Sequence, residues 1–403
     1  MESEKGSLNR IKILYAIMFL FTGAFVFGMS FILGKSHEAI LRNTIVSLVG
    51  AGTIIFMLMD AAGKGKEGFS YDNFYKRNRY FVVYMLMVVL SCLFSLVPYE
   101  FWPYMSLIVV MALFSNTEIG MISGIFFVTL SVLLEETGSV EELLMYVLAG
   151  VVALALFKDL GEETQVSLPV FISLLMQAVL LIAFNVLFQN RTFSINLLIL
   201  PILNLMLNLI ILLIFLNMFG VYVIRKSNDM YMEINDVEYP LLVALKEKDK
   251  DEYFRAIHTG YLAERIALGL GFNARAVKAC AYYHRIGLLG DGLKWADVSH
   301  YYEENNFPLE AIEFLHEYIE PAKGAIKSKE ALAVQLSETV IASIMYLIKK
   351  NKDAKIDYDK LIDGILDKKV SDGDLKDYAV TFRDFDKMRA LLKKEKLYYD
   401  FLR

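Results

Sequence analysis

Charged side chains are distributed very unevenly along this 403-residue chain. The last 179 residues, from Arg225 onward, contain 60 Lys, Arg, Asp and Glu residues, whereas the first 224 residues contain only 27. Soluble proteins carry about one charged residue in four, so the first part of the chain has the composition of a membrane protein. We expect an all-α protein, with a polytopic α-helical membrane domain over residues 1–224 and a cytoplasmic all-α domain over residues 225–403.

Apolar stretches in the first part are candidates for membrane-spanning helices, since about 20 apolar residues of helix cross a bilayer core. Eight uncharged stretches approach that length, and because four are short we expect seven to eight transmembrane helices. The two stretches between Phe101 and Leu134, separated only by Glu118, suit a tight hairpin or a re-entrant pair. The eight stretches are Ile13–Gly34, Asn43–Met59, Tyr80–Tyr99, Phe101–Thr117, Ile119–Leu134, Leu143–Phe157, Gln165–Asn190 and Thr192–Ile224.

The connecting segments differ in basic residues, which concentrate on the cytoplasmic side of membrane proteins. With eight spans, the three basic segments all fall on one side, and the acidic loop Glu135–Glu142, without Lys or Arg, falls on the other. We therefore predict a multi-pass protein of the bacterial inner (plasma) membrane with both termini cytoplasmic. The basic residues are Lys5, Arg10, Lys12, Lys64, Lys66, Lys76, Arg77, Arg79, Arg225 and Lys226.

Polar residues inside the spans are uncharged near the middle of each stretch, which argues against an ion-coupled transporter. Asn204 and Asn208 share one face of the last span. Hydrogen bonding between helices is the simpler interpretation of this pair, and a polar ligand pocket is the alternative.

The second part has helical patterning almost throughout. Its last segment, Thr381–Leu402, predicts one helix with Thr381 and Asp384 as a capping box and a stripe that includes Phe382 and Leu397. Asp372-Gly373 is a turn signal. A net charge of −5 argues against nucleic-acid binding, and Cys92 and Cys280 lie in different halves, so no disulfide framework is expected.

The segment from Leu262 to His284 reads LAERIALGLGFNARAVKACAYYH and is followed by Arg285-Ile286-Gly287. It resembles the core of HD phosphohydrolases, where an LAE helix precedes a YYHDIGK helix. Further segments fit the seven-transmembrane HD family in register. They are Pro240–Leu242, Ser328–Ala331, Val370–Leu375 and Thr381–Met388.

The resemblance implies an all-α HD domain and relatedness to membrane-bound cyclic di-AMP phosphodiesterases. Enzymes of this family hold two metal ions, which generate a hydroxide and neutralise the phosphodiester. The residues of this chain depart from that ligand set. The family's His-Asp pair falls on His284-Arg285, the upstream histidine on Arg255, the next histidine near Lys294, the His-His pair on Tyr318-Ile319 and the last aspartate on Glu338.

Of these positions only His284 and Glu338 keep metal-binding chemistry, so the resemblance implies a degenerate site with no catalytic residues and no cofactor. Arg255, Arg285 and Lys294 place three cations there, which suits binding of an anion without hydrolysis. Alternatively, these cations pair with local acids and only stabilise the fold. A rearranged site on His258, His284 and His316, holding Mn or Fe, is the enzymatic alternative.

Together these features predict a non-catalytic regulator, sensor or scaffold, a pseudoenzyme of the HD family. Its expected partners are the lipid bilayer, a cyclic dinucleotide and other proteins still to be identified. The alternatives are a metal-dependent cyclic di-AMP phosphodiesterase and a membrane transporter.

Overall fold

The computed structural model describes residues 2–135, 138–158, 166–290, 292–321, 326–351 and 355–402. Over these ranges the chain is α-helical, with no β-strand and a single isolated bridge between Lys327 and Tyr378. The expected all-α class is therefore confirmed. The chain divides into two compact units, Met1–Arg225 and Lys226–Arg403.

The described residues of the first unit form eight α-helices, one in each of the eight apolar stretches. A π-helical turn over Gly220–Arg225 follows the last of them. The helices are α1 Glu2–Ile32, α2 His37–Gly63, α3 Asn78–Phe94, α4 Tyr104–Leu113, α5 Thr117–Leu134, α6 Val140–Leu156, α7 Ser167–Leu187 and α8 Ile195–Phe219.

Six helices of the described chain are long and apolar enough to cross a membrane. Five of these segments begin in the first unit, and the sixth, Lys329–Lys350, belongs to the second. In that sixth helix Leu332, Leu336 and Ile344 are fully buried among residues of neighbouring helices, so its hydropathy reflects a protein core. In the first unit, α1, α2, α7 and α8 expose many of their large apolar side chains, as expected for contact with lipid, whereas α4 and α5 are largely buried among the other helices. The number of crossings, seven to eight, stays a prediction.

Helices α4 and α5 form a tight hairpin. At 1.5 Å per residue the ten residues of α4 extend about 15 Å, half of a bilayer core. Glycine permits the close approach, because a Cβ atom on Gly120 would lie 2.5 Å from the Cα of Ala112. Ahead of α4 the backbone bends at Trp102-Pro103, and the indole Nε1 of Trp102 donates to the carbonyl groups of Phe94 and Val97. The hairpin expected between Phe101 and Leu134 therefore has one very short helix.

Asn204 and Asn208 of α8 are fully buried and hold this bend. Asn204 Nδ2 donates to the carbonyl of Trp102 at 2.7 Å, and Asn208 Oδ1 accepts the backbone N–H of Ser106 at 2.9 Å. They thus satisfy backbone groups at a helix start, where intrahelical partners are missing. These contacts are the interhelical hydrogen bonds that the shared face predicted.

Over its described residues the second unit forms ten α-helices. Helix α11, which spans Lys250–Leu270, lies between two apolar clusters, since Ala263 and Ala267 pack into one and Leu262 and Ile266 into the other. The helices are α9 Lys226–Ile234, α10 Pro240–Lys248, α11 Lys250–Leu270, α12 Ala274–Tyr283, α13 Trp295–Glu304, α14 Leu309–Ile319, α15 Lys329–Lys350, α16 Tyr358–Ser371, α17 Phe382–Lys394 and α18 Lys396–Asp400.

The C-terminal segment forms two helices, so the prediction of a single helix is wrong. The single helix predicted over Thr381–Leu402 is interrupted at Glu395, and both Phe382 and Leu397 are exposed. The turn lets Tyr399 pack fully into the core, where its hydroxyl donates to the carbonyl of Leu392. Thr381 Oγ1 accepts the Asp384 N–H, as predicted for an N-cap.

The turn signal at Asp372-Gly373 is also correct. Helix α16 ends at Ser371, and Gly373 adopts a left-handed conformation with φ +75°. Glycine favours that conformation because it has no Cβ to collide with the backbone.

Candidate functional site

Three helices bring together four of the five positions that the family resemblance assigns to the site. Arg255 lies on α11, His284 and Arg285 follow the last residue of α12, and Glu338 lies on α15. Helix α12 begins after its N-cap, Asn273, and ends at Tyr283, and Arg285 has left helical geometry with φ −106° and ψ 12°. The side chain of Arg285 therefore points away from the helix course and reaches the α11–α15 interface.

Glu338 is the centre of the cluster, with 13% of its side chain exposed. Its Oε1 atom accepts a hydrogen bond from Arg255 Nη2 at 2.9 Å. The same oxygen accepts two from Arg285, from Nη2 at 2.8 Å and from Nε at 3.1 Å. Its other oxygen, Oε2, accepts the hydroxyl of Tyr318 at 2.7 Å. Both oxygens of this buried carboxylate are thus satisfied, as burial of a charge requires.

A second carboxylate completes the cluster. Glu252 lies three residues before Arg255, with one oxygen 3.4 Å from Arg255 Nη1 and the other 3.4 Å from Arg285 Nε. These separations are longer than those to Glu338, so Glu252 is the weaker partner of both arginines. Two guanidinium groups therefore face two carboxylates, and their formal charges balance.

Electrostatics favours the ionised form of Glu338. Burial by itself raises the pKa of this carboxyl, but the contact and charge of His284, the hydroxyl of Tyr318 and the charge of Arg285 lower it well below its usual range. The arginines lie closer to the carboxylate than His284, whose Nε2 is 3.5 Å from Oε1, so we assign the guanidinium groups the larger part. The same attraction raises the pKa of Arg285 against the effect of burial.

The other predicted site residues lie elsewhere. Lys294 precedes α13, is exposed and makes no contact with Glu338 in the described chain. His258 Nδ1 hydrogen-bonds the hydroxyl of Tyr398 at 2.7 Å. Burial lowers the pKa of this histidine. His316 is exposed and packs against the ring of Trp295. The structure does not bring His258, His284 and His316 together.

The side chains of the cluster do not fit a metal centre. A binuclear site requires several histidine and carboxylate ligands around each ion, with none of the positions taken by a permanent cation. Within the described residues no group of three or more His, Cys, Asp or Glu side chains is arranged to hold a metal ion. Where the resemblance places metal ligands, the guanidinium groups of Arg255 and Arg285 occupy the space around Glu338.

Sequence reasoning missed Glu252 and the contact made by Tyr318. The spacing of Glu252 and Arg255 on one helix face was a usable signal for an i, i+3 ion pair. The Nε of Arg255 has no acceptor among the described residues. The cluster is therefore saturated at Glu338 and retains hydrogen-bonding capacity beside it.

Fold and site together define an α-helical protein with apolar helices of membrane-spanning length and a buried arginine–carboxylate cluster. No protein-family model matches the chain, and no curated protein matches it. It is weakly similar to two crystal structures of the HD domain of the L. monocytogenes phosphodiesterase PgpH, one of them in complex with cyclic-di-AMP. Each of the two structures is 18% identical to this chain and matches 40% of its length. The matches include 100% of the first HD-domain structure and 97% of the complex with cyclic-di-AMP, with TM-scores of 0.31 and 0.32, respectively.

Proposed function

We propose that this chain is a membrane-bound, non-hydrolysing protein with an HD-like domain that acts as a regulator, sensor or scaffold. One observation carries the proposal. Glu338, at a position where the family resemblance implies a metal ligand, is bound by Arg255 and Arg285. A divalent ion at this carboxylate would have to displace two permanent cations, whose charge repels it. The cluster therefore favours structural or binding roles over metal-dependent hydrolysis.

Among the proposed roles, the cluster best suits a sensor that binds an anion. The ligand of one PgpH structure is cyclic-di-AMP, which carries phosphodiester anions. In this chain a phosphodiester would compete with Glu252, the more weakly held acid, for Arg255 and Arg285. The unpaired Nε of Arg255 would supply a further donor. Arginine binds such oxygens in a bidentate manner, whereas a scaffold needs no ligand at this position.

The proposed setting is the bacterial inner membrane with both termini in the cytoplasm. The support comes from the basic segments of the first unit and from its apolar helices. Labelling of cysteines introduced at each terminus with an impermeant thiol reagent, in intact and in permeabilised cells, tests this orientation. Labelling of either terminus in intact cells would contradict it.

Hydrolysis is the first test. Purified full-length protein with Mn²⁺ is incubated with cyclic di-AMP, beside a family member that has an intact HD motif. We expect no linear dinucleotide from this chain while the control is active, and no stoichiometric bound Mn or Fe. Product formation that is abolished by His284→Ala would show that the histidines support a rearranged metal site.

Ligand binding is the second test. Cyclic di-AMP is titrated into the full-length protein and into Arg285→Glu. The matched control is Arg265→Glu, which reverses the charge of an exposed arginine on the same helix as Arg255. Binding that survives in the control and is lost in Arg285→Glu supports a sensor. Equal binding by all three proteins, or none, removes this cluster as the binding site and leaves a regulator or scaffold that acts through protein partners.

A further inference from the structure

The side chain of Asn217 lies on the exposed, apolar face of α8. Asn204 and Asn208 of the same helix are buried, and both are hydrogen-bonded inside the bundle. Within the described part of the chain, the amide of Asn217 has no hydrogen-bond partner. An amide that faces hydrocarbon without a partner costs free energy, so Asn217 calls for a partner from outside its own protomer.

Asn217 ends a regular row of aliphatic side chains. The row is spaced alternately by four and by three residues, which is the spacing of a helix that packs along a second helix. At about 100° per residue, the row lies within about 40° of the line through Asn217, and Asn204 and Asn208 lie on the opposite side of α8. Each aliphatic member is between 43% and 56% exposed. These members are Ile199, Leu203, Met206, Ile210 and Leu213.

Asn217 also lies inward of the residues that mark the end of the membrane span. Tyr222 is 64% exposed and follows five residues later, and Arg225 and Lys226 come next. Tyrosine and basic residues are enriched where a span meets water. At about 1.5 Å per residue, Asn217 is on the order of 10 Å from Arg225 along the helix axis. Its amide therefore faces hydrocarbon rather than interfacial water.

A second copy of this chain offers the complementary group. Copies that insert in the same direction have parallel α8 helices, so identical residues lie at the same depth. In a parallel pair with two-fold symmetry, a position of the packing row faces the same position of the other helix. An amide donates and accepts hydrogen bonds at once, so Asn217 matches Asn217 of the second copy. Lipid chains cover the aliphatic row equally well but leave the amide unsatisfied.

We propose that α8 is a dimerisation surface, on which the aliphatic row packs against its counterpart in a second copy and the two Asn217 side chains hydrogen-bond to each other. The proposal goes beyond the role of the HD-like domain, because every residue of this surface belongs to the first unit. Asparagine in such a row also fixes the register, since a shifted pair leaves both amides unsatisfied. The chain continues from α8 through Gly220–Arg225 into α9, so a dimer joins two second units in one assembly.

Association is measured with the full-length protein in liposomes, by energy transfer between copies that carry donor and acceptor dyes, while added lipid dilutes them. We expect the wild type to be a dimer. In Asn217→Leu the dissociation constant should rise by about 5- to 30-fold, the effect of one hydrogen bond between membrane helices in model peptides. Asn217→Gln keeps the amide and should retain association.

The matched control is Thr53→Val, which removes an exposed polar group from α2. The hydroxyl of Thr53 donates to the carbonyl of Val49 in its own helix, so this variant should associate as the wild type does. A wild type that stays monomeric overturns the proposal. Equal association of the wild type and Asn217→Leu overturns it as well.

Cysteine cross-linking locates the surface. Leu213→Cys places a thiol on the row one turn before Asn217, and Phe56→Cys places one on the exposed surface of α2. A disulfide requires Cα atoms within about 7 Å, and the native Cys92 and Cys280 are buried. In oxidised membranes we expect cross-linked dimers of Leu213→Cys and none of Phe56→Cys. Equal cross-linking of both variants, or cross-linking of Phe56→Cys alone, would assign the contact to chance or to another face.

A separate measurement distinguishes association from folding. Because Asn217 has no side-chain hydrogen bond to the described residues of its own protomer, we expect Asn217→Leu to leave thermal unfolding unchanged in detergent dilute enough to separate the copies. If Asn217→Leu does not insert, the wild type and Leu213→Cys decide, since absence of both energy transfer and cross-linking contradicts the proposal.

Discussion

Arg285 donates two hydrogen bonds to a single oxygen of Glu338, from Nη2 at 2.8 Å and from Nε at 3.1 Å. The same oxygen accepts a third from Arg255, which lies 83 residues earlier in the chain than Glu338. One carboxylate oxygen on α15 thereby links α11 and the end of α12. The contribution of these hydrogen bonds to the free energy of unfolding can be measured directly.

Removal of the charge of Glu338 should destabilise the protein. Glu338→Gln keeps the shape of the side chain but places amide hydrogens or a neutral oxygen against two guanidinium groups. We expect a loss of about 1–3 kcal/mol in the free energy of unfolding, the usual cost of leaving a buried donor unsatisfied. Denaturant unfolding of the full-length protein in detergent measures it.

The control for this change is Asp251→Asn. Asp251 pairs with Lys349, and both side chains are about four-fifths exposed. Exposed pairs contribute at most about 1 kcal/mol, so the control should change little. Equal effects of the two substitutions would show that the arginine–carboxylate cluster contributes no more than a surface ion pair.

Acidification should weaken the second unit through Glu338. Its pKa is lowered in the folded protein, so the stabilisation is complete above the unfolded value of 4.5 and is lost as the pH falls below it. We expect Glu338→Gln to reduce the decline in stability below about pH 4.5. Unfolding free energies of wild type and variant across acidic pH provide the measurement, and parallel curves would contradict it.

The bend before α4 should depend on Asn208. Asn208→Leu leaves the buried N–H of Ser106 without its acceptor, since Asn208 Oδ1 is the partner of that group. Hydrogen bonds between membrane helices contribute about 0.6 kcal/mol on average and up to about 1.7 kcal/mol, and we expect a loss in this range. Asn217→Leu is the matched control, because Asn217 is exposed on the same helix. Thermal unfolding in detergent compares them, and a larger effect of Asn217→Leu would contradict the assignment.

Close packing of the α4–α5 hairpin should fail when a methyl group is added at Gly120. Its Cβ atom would lie 2.5 Å from backbone atoms of Ala112, and backbone cannot move aside as a flexible side chain can. We expect Gly120→Ala to cost about 1–3 kcal/mol, the usual range for overpacking. Gly28→Ala in α1 meets no atom within 4 Å and should be neutral or stabilising by up to about 1 kcal/mol. Expression and thermal stability of the two variants separate these effects.

Patterns local in sequence predicted the fold well. Uncharged stretches predicted the helices of the first unit, and Asp372-Gly373 predicted the end of α16, because these signals depend on neighbouring residues only. The same reasoning joined α17 and α18 into one helix. The turn at Glu395 follows from burial of Tyr399, a tertiary contact that periodicity does not contain.

The site was harder to predict, since the sequence identifies residue types and not their partners. Arg255, Arg285 and Glu338 were placed at one site by resemblance, and the structure joins them. Lys294 was placed there too, but the register between Gly287 and Lys294 depends on a shortened loop, and the structure leaves this lysine exposed and away from Glu338. Anion binding at these residues stays a prediction.

The cluster around Glu338 also bears on how this chain could change by mutation. Substitution of Arg285 by an acidic residue would place a third carboxylate beside Glu338 and Glu252. Of the two arginines, only Arg255 would then remain to pair with them. A single step from Arg255 to histidine would leave the two acids with Arg285 alone. Each of these single substitutions should therefore lower the stability of the fold, because it leaves buried charges of one sign in excess. Arg255, Arg285, Glu252 and Glu338 can consequently be replaced more readily together than one at a time.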